Sequence, residues 1–84
     1  MIGAIAFQEV KAYLGNKIKV VTDGYGEDKL NVEGYVRFNK LFLKTTDPQL
    51  KIEFFQQKNQ IISRINLALE KVGYTTRIVD IITK

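Results

Sequence analysis

The chain predicts one small α+β domain spanning residues 1–84, in the order α-β-β-β-α-β. Its sheet is three- to four-stranded and mostly antiparallel, with the helices on one face. Three observations lead there. Residues 30–38, LNVEGYVRF, alternate apolar and polar side chains with the period of a half-buried strand. Residues 5–14 and 48–72 instead repeat their apolar side chains at helical spacing, and each run stops at or next to a glycine, Gly15 and Gly73. A chain of 84 residues buries only about 60% of the surface it would expose unfolded, enough for one thin core.

Taken in order, Ala6, Phe7, Val10, Tyr13 and Leu14 form the apolar stripe of a first helix. Residues 17–22, KIKVVT, are rich in β-branched types and read as a strand with Ile18 and Val20 on one side. Residues 23–28, DGYGED, are a loop. In the following strand Leu30, Val32, Gly34, Val36 and Phe38 face one way, and Asn31, Glu33, Tyr35 and Arg37 the other. Asn39-Lys40 is a two-residue polar break before a further strand, residues 41–45, so the two strands pair as a hairpin.

The stretch TDPQLKIEFF, residues 46–55, carries both periods. Leu50, Ile52 and Phe54 alternate like a strand, yet Thr46, Asp47 and Pro48 are helix-opening residues. Thr46 with Gln49 makes a capping box, or Asp47 caps with Pro48 in the first helical position. Phe54, Ile61, Ile65, Ala68, Leu69 and Val72 then recur at helical spacing with no interrupting glycine or proline. One long helix bent near Asn59 is the expectation. Lys51 and Lys58 fall inside its apolar arc, so it bends or those lysines carry their ammonium groups out to water. Residues 76–83 give the last strand, with Ile78 and Asp80 on one face and Val79 and Ile81 on the other.

Composition excludes more than it selects. The chain has no histidine and no cysteine, hence no ordinary general base near neutrality, no thiolate and no imidazole ligand. A non-enzymatic protein without metal or cofactor is expected. Asp23, Glu27 and Asp28 are the one acidic cluster; they sit in a glycine loop, off the spacing of a calcium loop, and Gly24-Tyr25-Gly26 lacks the lysine of a phosphate-binding loop. No run approaches the ~20 apolar residues of a membrane span, and MIGAIAF lacks the basic start of a signal peptide. A cytoplasmic setting without membrane contact follows as the expectation.

The net charge of +4 permits a polyanionic partner. Tyr35 and Arg37 on the wet strand face, Lys17 and Lys19 on the first strand, and Lys40 and Lys44 at the hairpin are candidate contacts for single-stranded nucleic acid. The bland alternative is a solvated face with lysine-protected edges. Lys58, Arg64 and Lys71 on the second helix are candidate contacts for a protein partner, or merely a solubilising stripe.

From about Asn31 onward the chain resembles the DciA-like bacterial helicase-loader domains. Leu41-Phe42-Leu43-Lys44-Thr45 fits their strand, Thr46-Asp47-Pro48 the helix cap, and Glu53-Phe54 the Glu-Leu position. Lys58 takes the basic position, Ile61-Ile62 the aliphatic pair, Ile65-Asn66 the Ile-Asn, and residues 78–81, IVDI, the closing strand. The first-helix tryptophan of that family has only Phe7 in its place. The resemblance implies a K-homology-like fold that contacts single-stranded DNA and the replicative helicase. The Gly-x-x-Gly clamp of K-homology domains is absent. Two alternatives stand beside it: a small protein-binding adaptor or a phage- or plasmid-type inhibitor that touches no nucleic acid, and a homodimer paired through the strand at residues 77–83.

Overall fold

The first helix, α1 (Ile2–Leu14), begins three residues earlier than the apolar stripe requires. Gly3 lies against the backbone of the sheet, its Cα hydrogen facing the amide of Val36, and the helix buries Ala6, Val10 and Leu14 along one line. Gly15 ends it at φ 59° and leads into a single 3-10 turn, Gly15–Lys17. In the computed structural model, which describes residues 1–84, the remaining elements are β1 (Val20–Thr22), β2 (Asp28–Leu30), β3 (Glu33–Arg37), β4 (Lys40–Lys44), α2 (Pro48–Gln56), α3 (Lys58–Lys71) and β5 (Asp80–Thr83).

The α+β class and the helical covering of one sheet face are as expected, but the strands divide between two sheets. β3, β4 and β5 form the main sheet with β4 central; β3 pairs antiparallel and β5 parallel to it. The parallel pair is joined by α2 and α3, the crossover such a pair needs. β1 and β2 form a separate antiparallel ribbon. The run from Leu30 to Phe38 is thus broken at Asn31. The amide of Asn31 donates to the Lys19 carbonyl at 2.9 Å, its Oδ1 accepts from the Lys19 amide at 3.1 Å, and its Nδ2 donates to the Lys17 carbonyl at 2.9 Å. Those bonds tie the chain to the incoming strand and turn it out of the main sheet. Ile18 consequently enters the core while Val20, out on the ribbon, is 61% exposed; the two do not share a buried side.

The hairpin turn lies one residue earlier than the polar break. Arg37 pairs with Lys40, so the two-residue loop is Phe38-Asn39, both with positive φ (54° and 61°). That is the left-handed conformation a tight hairpin demands, and it rotates Phe38 away from the core side of β3, leaving it 77% exposed. A bulky residue there costs about 1–2 kcal/mol. Gly34 answers the opposite need: a Cβ on it would lie 2.7 Å from Phe7 Cδ1 and 3.0 Å from Leu43 Cδ2. The missing side chain lets the Phe7 ring of α1 rest on the strand.

Residues 48–72 are helical, not extended, but as two helices. Asp47 caps α2, its Oδ1 accepting from the Gln49 amide at 2.9 Å, with Pro48 in the first turn. The bend falls at Gln57 (φ −110°, ψ 16°), two residues before Asn59. It leaves Lys51 exposed and carries the half-buried Lys58 out to Asp80. Leu50 and Phe54 of α2 and Ile61, Ile65 and Leu69 of α3 pack with Leu41, Leu43 and Ile81 of the sheet in one core. Gly73 (φ 88°) closes α3: its amide donates to the Glu70 carbonyl and that of Tyr74 to the Leu69 carbonyl, each at 3.0 Å. This is the paired C-terminal closure that glycine permits.

The return from α3 to β5 is held by one side chain. Asn66, only 8% exposed, donates through Nδ2 to the Ile78 carbonyl at 3.0 Å and accepts from the Ile78 amide at 2.7 Å. Ile78 therefore sits outside the strand, bonded to a helix, and both Ile78 and Ile81 are buried while Val79 is 64% exposed. The simple alternation expected across residues 78–81 does not hold. Asn66→Leu leaves both main-chain groups of Ile78 without partners in the core. It is expected to destabilise the protein by about 2–4 kcal/mol, measured by urea unfolding; a loss below 1 kcal/mol (roughly one net hydrogen bond) would mean the clamp is not formed.

Candidate functional site

With α1 and α3 against one face of the main sheet, the strand period sends the other set of side chains to the opposite face. Leu41 and Leu43 of β4 are buried, so Lys40, Phe42 and Lys44 point outward. The register aligns these with their neighbours in three rows. Tyr35, Phe42 and Ile82 make an apolar row across the middle. On one side of it run Arg37, Lys40 and Asp80; on the other, Glu33 opposite Lys44, with Lys84 beside them through main-chain bonds to Leu43 and Thr45. Each flanking row carries two cations and one anion.

The Tyr35 and Phe42 rings stack at 5.0 Å between centroids, 9° from parallel. Lys84 leans over them, its Nζ 5.2 Å from the Phe42 centroid and 5.9 Å from that of Tyr35, and donates to the Tyr35 hydroxyl at 3.3 Å. Cation and aromatic surface are thereby presented together, the combination that stacks bases and neutralises phosphates.

Of the six nucleic-acid candidates, the structure brings Tyr35, Arg37, Lys40 and Lys44 to this one face. Lys17 lies elsewhere, in the 3-10 turn, where its Nζ pairs with Glu53 at 3.0 Å. Lys19, at the foot of the ribbon, shares with Lys29 and Lys44 an open groove of about 330 Å3 that also takes in Glu33 and Asp47. Phe42, Ile82 and Lys84 were not among the candidates; the alternation of KLFLK would have found Phe42, and the order of β5 beside β4 is needed for the other two. Among the protein-partner candidates, Arg64 is exposed but engaged within the chain, its guanidinium 5.4 Å from the Tyr13 ring centroid and its Nε 3.9 Å from Glu9. Lys58 pairs with Asp80 at 2.8 Å, and Lys71 is exposed in the last turn of α3.

The acidic loop organises itself. Asp23 Oδ1 accepts from the amides of Tyr25 (2.8 Å) and Glu27 (3.0 Å), and Asp28 Oδ1 accepts from the Thr22 hydroxyl at 2.9 Å. No three carboxylates converge on one point. No helix is long and apolar enough to cross a membrane. Comparison with protein-family models, with curated proteins and with solved structures returns no match.

Three carboxylates titrate below their ordinary range: Glu53 chiefly through its hydrogen bond with Lys17, Asp80 through that with Lys58, and Asp23 through the amide of Glu27. A value lower in the folded than in the unfolded state adds stability that is complete above the unfolded value and vanishes as pH falls through the folded one. These contacts therefore hold at neutrality and are lost in acid. Lys58→Met is expected to raise the titration midpoint of the Asp80 carboxyl toward that of an ordinary aspartate, followed by carboxyl-carbon NMR. An unmoved midpoint would show that the ion pair is not populated in solution.

Proposed function

We propose that the protein is a non-enzymatic binding module that holds single-stranded nucleic acid against the outer face of its three-stranded sheet. The observation that carries this reading is the apolar row Tyr35-Phe42-Ile82 between two rows with four cations, Arg37, Lys40, Lys44 and Lys84. Bases stack on rings whatever their identity, and cations alongside meet the phosphates, so such a face binds strands with little sequence preference and strong salt dependence. Lys19 and Lys29 carry further cations beyond Lys44 along the groove, beside Glu33 and Asp47 and with Lys29 Nζ 4.0 Å from Asp23. The resemblance to DciA-like, K-homology-like domains agrees with this and adds the replicative helicase as the protein partner.

A second reading has its own observation. Ile52 and Phe55, three residues apart on the outer side of α2, are both exposed, and an apolar pair of this kind suits a protein-binding adaptor that touches no nucleic acid. A mobility-shift titration with single-stranded DNA at two salt concentrations separates the two.

Replacing Arg37 and Lys44 together by alanine is expected to weaken oligonucleotide binding at low salt. It should also lower the slope of log affinity against log salt by about 1.4, from ~0.7 per phosphate contact on a single strand. Unchanged affinity would remove the sheet face from the reading.

A further inference from the structure

We infer that Phe38, at the tip of the β3–β4 hairpin, is a base-stacking residue that receives one unpaired base of a single strand on its open ring face; this rests on the nucleic-acid reading above. The position is one where asparagine, aspartate or glycine normally sits, because φ must be positive. Phe38 holds φ 54° there and gains no burial in return, being 77% exposed and outside the core. A strained backbone carrying a large ring into water points to a use outside the fold.

The surroundings define the ligand. The Arg37 guanidinium lies 5.2 Å from the Phe38 ring centroid, covering one face and leaving the other to solvent. Arg37 and Lys40, cross-strand partners, bracket the tip with two cations. A flat π surface next to negative charge fits this arrangement, and a nucleotide supplies both. The backbone that carries the ring is also held in place. The turn has only two residues, and its Asn39 carbonyl accepts from the Val79 amide at 2.9 Å, tethering the tip to the segment before β5. Little backbone ordering is left to be done on binding, which favours affinity. Phe38 follows β3 directly, so a strand lying over Tyr35 and Phe42 reaches it by continuing past Arg37.

The test uses Phe38→Asn, Phe38→Trp and a fluorescein-labelled oligothymidylate followed by anisotropy. Asparagine suits the turn, so Phe38→Asn is expected to melt no lower than the unmodified protein while binding about tenfold more weakly, the loss of one stacked base. Phe38→Trp is expected to keep the affinity. The chain contains no other tryptophan, so its emission reports on this position alone and should be quenched as the oligonucleotide saturates. Binding with unquenched emission, an undiminished affinity in Phe38→Asn, or a lowered melting temperature in that variant overturns this inference and leaves the sheet-face reading standing. No binding by the unmodified protein overturns both.

Discussion

A buried asparagine on an otherwise apolar helix face sets the geometry of this molecule. Asn66 meets both main-chain groups of Ile78, twelve residues further on, and so acts as a strand partner supplied by a side chain. Without it, the amide and carbonyl of Ile78 would lie in the core unpaired, which folded proteins avoid. With it, the chain leaving α3 is fixed in height and direction, and β5 enters the sheet parallel to β4 with Ile81 inward and Ile82 outward. Everything on the outer face that involves β5 follows from that register, including the place of Asp80 beside Lys40 and of Lys84 over the two rings.

The sheet then separates two kinds of chemistry that the chain mixes residue by residue. Inward, Leu41, Leu43 and Ile81 close against α1, α2 and α3 with no buried side-chain polar atom left without a partner. Outward, the three strands of the main sheet collect two aromatic rings, four cations and the carboxylates of Glu33 and Asp80. Gly34 is where the two sides compete for space: the strand gives up a side chain so that Phe7 can lie close, while its neighbours Glu33 and Tyr35 keep theirs for the outer face. The fold thus supports the outer surface without taking any of its residues into the core.

How much of this could be read beforehand depended on the range of the interaction. The alternation at residues 33–37 correctly placed Tyr35 and Arg37 outward, since pleating is local. Asp47-Pro48 announced α2, because a cap acts within one turn. Phe38-Asn39 was not legible as a turn, since phenylalanine carries no turn signal and its conformation is imposed by the register of the strands around it. Asn31 looked like an ordinary outward strand residue; its role lies in bonds to Lys17 and Lys19, which composition cannot reveal. The β-branched run at residues 17–22 suggests a place for Lys17 on the main sheet, but Lys17 stays in the 3-10 turn and the strand after it pairs only with β2. Lys84 and Ile82 became part of the face only through the parallel pairing of β5, a contact that spans the whole crossover.

The β1–β2 ribbon has a different standing from the rest. Most of its residues are exposed, and it is moored at its base by Asn31, whose carbonyl in turn accepts from the buried Thr45 hydroxyl at 2.6 Å. Two strands without a covering layer are marginal by themselves. Its amide protons therefore exchange with solvent far sooner than those of β4, on a clock separate from global unfolding. The glycines at its apex make it a natural graft point, where a dye or peptide insertion reports on the molecule while leaving the core unaltered.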